Sequence, residues 1–242
     1  MKVAVLILGE FREFDIAVKS WSFKDFSHID YQISSWDISN QGGVKENVTE
    51  DSFTKHLNNV EHIKIWEAKP YHSNDTNIDY LKDTSQAFRF HFMYMYEELI
   101  LPKNKKYDYI FITRPDLWYD IDSNALSIPF FKQIEDGTIY TLGPIKPPTN
   151  ESQGFVNDIL FYGKSKEMIE FLNLVQYQPL NHENAAKAIH ENFKHKTSKT
   201  LSANIVRPNV RNIDDKSKLN IEIIQQFDNE FCEYKEKRWN NK

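Results

Sequence analysis

The sequence has little cysteine, little glycine and no long apolar run. The scarcity of cysteine and the lack of a long apolar run each exclude a class of protein. Cys232 is the single cysteine, which excludes an internal disulfide and any cysteine-rich zinc site. The apolar run Val3–Leu8 is too short for a signal-peptide core. No run approaches the roughly 20 apolar residues of a membrane span. We therefore expect a cytoplasmic protein without a membrane span.

Positive charge is not in excess. The chain of 242 residues has a net charge of -5 and a pI near 5.9, so nucleic acid is not expected as a partner. The basic cluster Lys194–Lys199 is short and is interpreted as a solvated surface. The 40% of hydrophobic residues can build a substantial core. We expect a single domain, residues 1–242.

The first part of the chain alternates strands with helices. The predicted first strand, Lys2–Leu8, is continuously apolar from Val3 onward, as expected of a central parallel strand. The other predicted elements are a helix bearing Phe14, Val18 and Trp21, a strand at Asp30–Ser35, a helix at Glu50–Val60 and a strand at His62–Trp66. This order predicts an α/β fold with a mostly parallel, Rossmann-like sheet and right-handed crossovers.

The most informative stretch is Tyr107–Asp120. An uncharged strand ends abruptly at Arg114, Pro115 and Asp116, and proline stops the ladder. Ligands bind at the carboxyl ends of strands in open α/β sheets, so this tip is a candidate site. A surface Arg-Asp pair that closes a turn is an equal alternative.

Two earlier strand ends also carry candidate ligand residues. Gly9 breaks the first strand, and Arg12 follows it near a helix N-terminus, where backbone N–H groups and a guanidinium suit a phosphate. Arg12 pairing with Glu13 or Asp15 on the surface is the alternative. Asp37 follows the second strand, where a carboxylate often meets a ribose hydroxyl; capping a turn would explain it equally well.

The remaining elements are predicted less sharply. Gln86 and Arg89 project from a helix at Thr84–Leu101, and Asn157 and Asp158 interrupt a strand-like stretch, Phe155–Tyr162. Glu183 lies in the first turn of a helix, where the dipole alone would favour it. Further predictions are a loop at Ala68–Asp83, a strand at Thr138–Leu142, a helix from Ser165, a strand at Leu201–Arg207 and a terminal helix from Ile221.

Taken in order, these pieces resemble the GT-A class of nucleotide-sugar-dependent glycosyltransferases, in particular small microbial and viral enzymes of surface-polysaccharide synthesis. The resemblance covers roughly residues 1 to 195. It is carried by VAVLILGEFR, DYQISSWD, TSQAFRF, YDYIFITRPD and VNDILFYGKSKEM.

The resemblance implies a nucleotide diphosphate sugar as donor and a glycan or other hydroxyl acceptor. It places Asp116 where the class holds Mn²⁺ or Mg²⁺, although Arg114 replaces the first carboxylate of the usual Asp-any-Asp motif and would itself neutralise the diphosphate. Metal dependence therefore stays open. The nucleotide would be bordered by Gly9, Arg12, Asp37, Gln86, Arg89, Arg114 and Asp116.

The resemblance also implies a general base, which is Asp158 or, as its competitor, Glu183. Residues 1–116 would bind the nucleotide, residues 117–200 would face the acceptor, and residues 201–242 would pack against the body. A non-catalytic nucleotide- or glycan-binding module is the second hypothesis, and a nucleotidyltransferase the third. The sugar-transfer hypothesis requires the first, second and fourth predicted strands to lie side by side and to bring Arg12, Asp37 and Asp116 to a shared pocket.

Overall fold

A seven-stranded sheet organises the chain in the computed structural model, which describes residues 1–11, 13–39, 46–67, 71–73, 76–78, 107–119, 124–145, 160–175, 182–201 and 203–205. Its strands are β1 (Val3–Leu8), β2 (Ile29–Trp36), β5 (Val60–Trp66), β8 (Tyr109–Thr113), β10 (Thr138–Thr141), β11 (Leu160–Lys164) and β12 (Lys194–Thr197). They lie in the order β12-β10-β11-β8-β1-β2-β5. The predicted mostly parallel sheet is confirmed, and the second, first and fourth predicted strands are neighbours.

Six of the seven strands point the same way. β1 pairs in parallel with β2 and β8, and β2 pairs in parallel with β5. β11 alone runs opposite to β8 and β10, while β12 follows β10 in parallel. Consequently the carboxyl ends of β1, β2, β5, β8, β10 and β12 share one edge of the sheet, which we call the carboxyl edge.

Helices flank both faces of this sheet. They are α1 (Phe14–Ala17), continued by a 3-10 turn at Val18–Ser20, and α2 (Glu50–Thr54), α3 (Ile128–Phe131), α4 (Ser165–Val175) and α5 (His182–Asn192). The first three bury Phe14, Phe53, Phe130 and Phe131 against one face, with Val3, Val5 and Ile7 of β1. The last two bury Met168, Phe171 and Ile189 against the other, with Ala4 and Leu6. β1 is buried throughout because both of its faces are covered.

Three short two-stranded ladders lie outside the main sheet. They pair β3 (Ile38–Ser39) with β4 (Glu46–Asn47), β6 (Tyr71–Ser73) with β7 (Thr76–Ile78), and β9 (Leu117–Tyr119) with β13 (Ala203–Ile205). β9 directly follows the tip of β8, so the pairing with β13 anchors the chain just beyond that tip. Within the predicted strand at Leu201–Arg207, the described residues Ala203–Ile205 form β13.

Several predictions need correction. The helix expected at Glu50–Val60 ends at Thr54, and Val60 instead begins β5. The helix after β1 is one α turn and a 3-10 turn, although Phe14, Val18 and Trp21 are all buried as expected. Part of the loop expected at Ala68–Asp83 forms the β6–β7 hairpin. The strand expected at Phe155–Tyr162 is described only from Leu160 and extends to Lys164.

Lys194–Thr197, interpreted from the sequence as solvated, is the edge strand β12. The predicted helices at Thr84–Leu101 and from Ile221 lie outside the described residues. Within the described part of the chain, no helix is long and apolar enough to cross a membrane.

Candidate functional site

The carboxyl edge brings the ends of β1, β2 and β8 together. In the register of the sheet, Leu8 lies opposite Ser34 of β2, and Ile7 lies opposite Thr113 of β8. Neighbouring strands are about 4.8 Å apart, so β2 and β8, which lead to Asp37 and Arg114, are about 10 Å apart across β1. The chain leaves β1 towards β2 on one side and meets β8 on the other, which makes this the switch point where open α/β sheets bind ligands.

Gly9 ends β1 with a φ of 107°. Side chains other than glycine rarely adopt this conformation. The Gly9 N–H donates a 3.0 Å hydrogen bond to the Ser34 carbonyl, which continues the β1–β2 ladder by one residue and then lets the chain turn away. Gly9 therefore lies at the predicted place, and its N–H is used within the sheet.

At the tip of β8, Arg114 and Asp116 form a bidentate ion pair. Arg114 donates from Nε to Asp116 Oδ1 at 2.9 Å and from Nη2 to Oδ2 at 2.6 Å. The Asp116 side chain is fully buried, whereas that of Arg114 is 19% exposed. Of the five N–H groups of a guanidinium, these two bonds use two. The cation thus faces the edge, and the buried carboxylate fixes its plane.

A buried hydrogen bond between the hydroxyls of Thr113 and Tyr119 stabilises this tip. Thr113 Oγ1 lies 3.2 Å from the Arg114 carbonyl, to which it donates, and 2.7 Å from the Tyr119 hydroxyl. Burial raises the pKa of Tyr119 above its ordinary value, so the phenol stays protonated and acts as the donor to Thr113. The Tyr119 N–H donates to Ser20 Oγ at 2.8 Å. The turn between β8 and β9 is therefore held to the 3-10 turn after α1.

The residues after β1 and β2 also contact each other. Ser39 Oγ donates to Glu10 Oε1 at 3.4 Å, which joins the turn after β1 to the short strand β3. Asp37 lies just before β3; its N–H donates to the Trp66 carbonyl at 2.8 Å and its carbonyl accepts from Val48 at 2.7 Å. The half-buried Asp37 is thus held at the edge by backbone hydrogen bonds.

Of two indole rings near this edge, only the one at the end of β5 is accessible. Trp36 is only 4% exposed, so it offers no open face for stacking. Trp66, at the end of the neighbouring strand β5, is partly exposed. Its N–H donates to Ser34 Oγ at 3.0 Å, and Lys64 Nζ lies 5.0 Å from its ring centroid. Trp66 is therefore the aromatic wall beside Asp37.

The turn after β1 differs from a phosphate-binding helix start. α1 has only four residues, and its N-cap Glu13 forms no side-chain cap. The N–H groups of Phe14 and Ile16 donate to the carbonyls of Phe11 and Glu13. Glu13 is itself buried. The alternative interpretation of Arg12, a surface ion pair with Glu13, assumed that Glu13 is exposed. Anion binding here depends on side chains more than on a helix dipole.

Several predicted site residues cannot be placed. Arg12, Gln86, Arg89 and Asp158 lie outside the described residues. Glu183 lies in the first turn of α5. That helix ends just before β12 begins at the opposite edge, so its first turn is on the side of the carboxyl edge. The structure thus brings Gly9, Asp37, Arg114 and Asp116 to one edge and sets the Glu183 turn on the same side.

The described residues do not fit a divalent metal at the tip. Among them, no group of three or more His, Cys, Asp or Glu side chains is arranged to hold an ion. Both oxygens of Asp116 accept from Arg114, a cation that repels another cation at that distance. The geometry suits an anion beside Arg114 better than a metal beside Asp116.

Sequence reasoning missed the supporting residues of this edge. Ser39, Trp66, Thr113 and Tyr119 each act through a partner far away or beyond a turn, so no local motif marks them. Only the position of Trp66 at the end of a predicted strand was a usable signal. Comparison of the sequence with protein-family models and with curated proteins finds no match.

Proposed function

We propose that the protein is a GT-A-type glycosyltransferase that moves a sugar from a nucleotide diphosphate sugar to a hydroxyl acceptor. The observation that carries this proposal is the adjacency of β2, β1 and β8, with Asp37 and Arg114 at their ends. A nucleoside beside Asp37 and Trp66 would direct its diphosphate across the end of β1 towards Arg114. The two outer strands are about 10 Å apart laterally, and Asp37 lies three residues beyond Ser34, so the nucleotide would span more than that distance.

In the proposed reaction the acceptor oxygen forms a bond to the anomeric carbon, and the bond between that carbon and the diphosphate oxygen breaks. The diphosphate leaves with the electron pair, and a base, Asp158 or Glu183, takes the acceptor proton. Negative charge grows on the leaving oxygen in the transition state, where a fixed cation is most effective. Arg114 supplies that cation through the N–H groups that Asp116 leaves free.

Asp116 is a positioning residue in this scheme. Its two bonds hold the guanidinium plane, as a bidentate carboxylate pair does. The scheme assigns no step to a metal, because the described tip offers a guanidinium where a metal ligand would be needed. Full activity in the presence of EDTA is accordingly expected.

The test is a panel of UDP- and GDP-sugars, read by thermal shift and by release of free nucleotide. A donor at 100 times its Kd adds about 2.7 kcal/mol to the free energy of unfolding, which is roughly 5 to 10 °C for a chain of this size. Arg114→Ala should abolish the shift, and Lys19→Ala, an exposed cation on the turn after α1, should preserve it. If no nucleotide sugar shifts the wild type or loses its sugar, the proposal is wrong.

A non-catalytic nucleotide-binding module is the second candidate. The burial of Asp116 favours it, because the described tip then presents no solvent-facing carboxylate. Such a module would show the thermal shift without nucleotide release. Detectable hydrolysis of a bound donor, lost in Arg114→Ala, would decide for the enzyme.

A further inference from the structure

A groove opens on the α3 side of the sheet, away from the tip of β8. Its volume is about 730 Å³, within the range of roughly 300 to 1,000 Å³ that ligand sites occupy. Phe130, Ile134, Tyr140 and Tyr162 form an apolar floor. A second cavity of about 290 Å³ shares Phe130 and Thr200 with it, so the depression continues along α3.

The floor is rigid. The rings of Tyr140 and Tyr162 stack at 5.0 Å, and Tyr162 stacks on Phe111 of β8 at 5.5 Å. The Tyr140 hydroxyl accepts from the Glu135 N–H at 3.3 Å and donates to the Gln133 carbonyl at 3.5 Å. Because these contacts are satisfied within the protein, the floor offers a ligand preformed apolar surface and no unsatisfied hydroxyl.

The rim is polar. It carries Gln133, Glu135, Lys196, Lys199 and Thr200. Lys196 forms an ion pair with Glu135, so Lys199 gives the rim one positive charge in excess. An apolar floor with a few donors at its edge suits a sugar ring, whose C–H face is apolar and whose hydroxyls point outward. The surplus charge favours a sugar that carries a carboxylate or phosphate.

The groove also has the right position. Ser198, just beyond β12, donates from its N–H to the Thr141 carbonyl at 2.8 Å, so Lys199 and Thr200 lie at the carboxyl edge. β12 is three strand spacings from β8, about 14 Å. A ligand at this end of the groove is therefore several sugar units away from the tip, so it is not the reacting unit.

We propose that this groove binds an oligosaccharide, preferentially an acidic one, as the distal part of the acceptor. Its role as an acceptor site depends on the proposed sugar transfer, whereas glycan binding itself does not. The proposal adds the substrate class that the tip alone does not specify.

The test begins with the labelled full chain on a glycan array that spans neutral and acidic glycans. We expect acidic oligosaccharides to be retained, and the best one is then titrated by calorimetry. Thr200→Trp fills the groove from an exposed position and should weaken binding about tenfold or more. Lys199→Ala should reduce the preference for acidic over neutral glycans. Thr54→Trp, an equally exposed position on α2, is the matched control and should bind as the wild type does.

Hydrolysis of the donor without acceptor separates this proposal from the previous one. In Thr200→Trp it should stay unchanged, while the KM for a long acceptor rises. If the protein retains glycans but does not turn over a donor, the proposal of glycan binding in the groove is supported and the proposal of sugar transfer is contradicted. An array on which the wild type retains nothing, or binding that survives Thr200→Trp, would overturn the groove proposal.

Discussion

Arg114 donates two hydrogen bonds to Asp116, two residues further along the chain, and the carboxylate that receives them is fully buried. A pair this close in sequence would usually be a surface feature of small energetic value. Here the carboxylate, just before β9, is inaccessible to solvent, and the cation lies at the edge of the sheet. The pair therefore stabilises the turn after β8 and at the same time fixes the position of the Arg114 guanidinium, the only charged group of that turn that faces solvent.

This arrangement predicts different outcomes for two substitutions of Asp116. Asp116→Ala removes both bonds and leaves a guanidinium over a cavity. Breaking a buried pair costs about 3 to 5 kcal/mol, and since Arg114 is partly exposed we expect about 2 to 3 kcal/mol. Asp116→Asn keeps the shape and one acceptor oxygen, and should cost about half as much. Denaturant unfolding with a constant m-value measures both.

Arg114→Lys provides the complementary variant. It keeps the positive charge but loses the fork that matches a carboxylate. We expect stability close to that of Asp116→Asn and donor binding weakened about tenfold, since each 1.4 kcal/mol is tenfold in affinity. Asp116→Ala that unfolds at the same denaturant concentration as the wild type would contradict the burial argument.

Two histidines predict how stability depends on pH. Burial lowers the pKa of His195, and burial followed by the charge of Lys55 lowers the pKa of His56. His195 lies 2.8 Å from Thr141 Oγ1, and that hydroxyl donates to the Gly143 carbonyl. The imidazole Nε2–H is therefore the donor to Thr141, which neutral histidine can provide.

The direction in which stability changes with pH follows from the proton uptake of the two histidines. The unfolded chain binds a proton near pH 6.5, and the folded chain binds it only at lower pH, so the unfolded state holds more protons between these values. Stability then falls as the pH drops below about 6.5 and stops falling on this account below the lowered pKa. We expect a lower melting temperature at pH 5.5 than at pH 7.5.

Removing the two groups should flatten that dependence. His195→Gln and His56→Gln should each reduce the difference in melting temperature, and the double variant should reduce it most. His190→Gln, an exposed position at the end of α5, serves as the control. An unchanged difference in the double variant would show that other groups cause the pH dependence.

The sequence specified the strands that are apolar on both faces. β1 and β8 are unbroken apolar runs bounded by turns, and burial in the middle of a parallel sheet requires that pattern. β12 was missed because Lys194–Thr197 has no apolar residue: it forms by pairing with β10 at the edge of the sheet, where lysines are common. The overlong second helix arose because Phe53 and Leu57 fit a helical stripe, although Leu57 lies in the irregular segment between α2 and β5.

The candidate site was predictable only where it coincides with strand ends. Arg114 and Asp116 were found because they follow an apolar run, yet the burial of Asp116 is a property of the folded turn that the local sequence does not encode. The groove could not be found at all. Its floor and rim come from residues that are up to 70 positions apart, from Phe130 to Thr200, and only the fold brings them together.

Gly9 gives the last prediction, which concerns the turn that leads from β1 to the site. An alanine there would meet no atom within 4 Å, so its cost is the backbone strain at a φ of 107° alone, about 1 to 3 kcal/mol. The matched control is Gly137→Ala, also without a steric contact but at a φ of 69°, in the left-handed region where alanine costs about 1 to 2 kcal/mol. We expect Gly9→Ala to be the less stable variant in denaturant unfolding and to weaken donor binding, whereas Gly137→Ala, at the opposite edge of the sheet, loses stability only. Equal donor affinity in the two variants would mean that the turn after β1 does not shape the site.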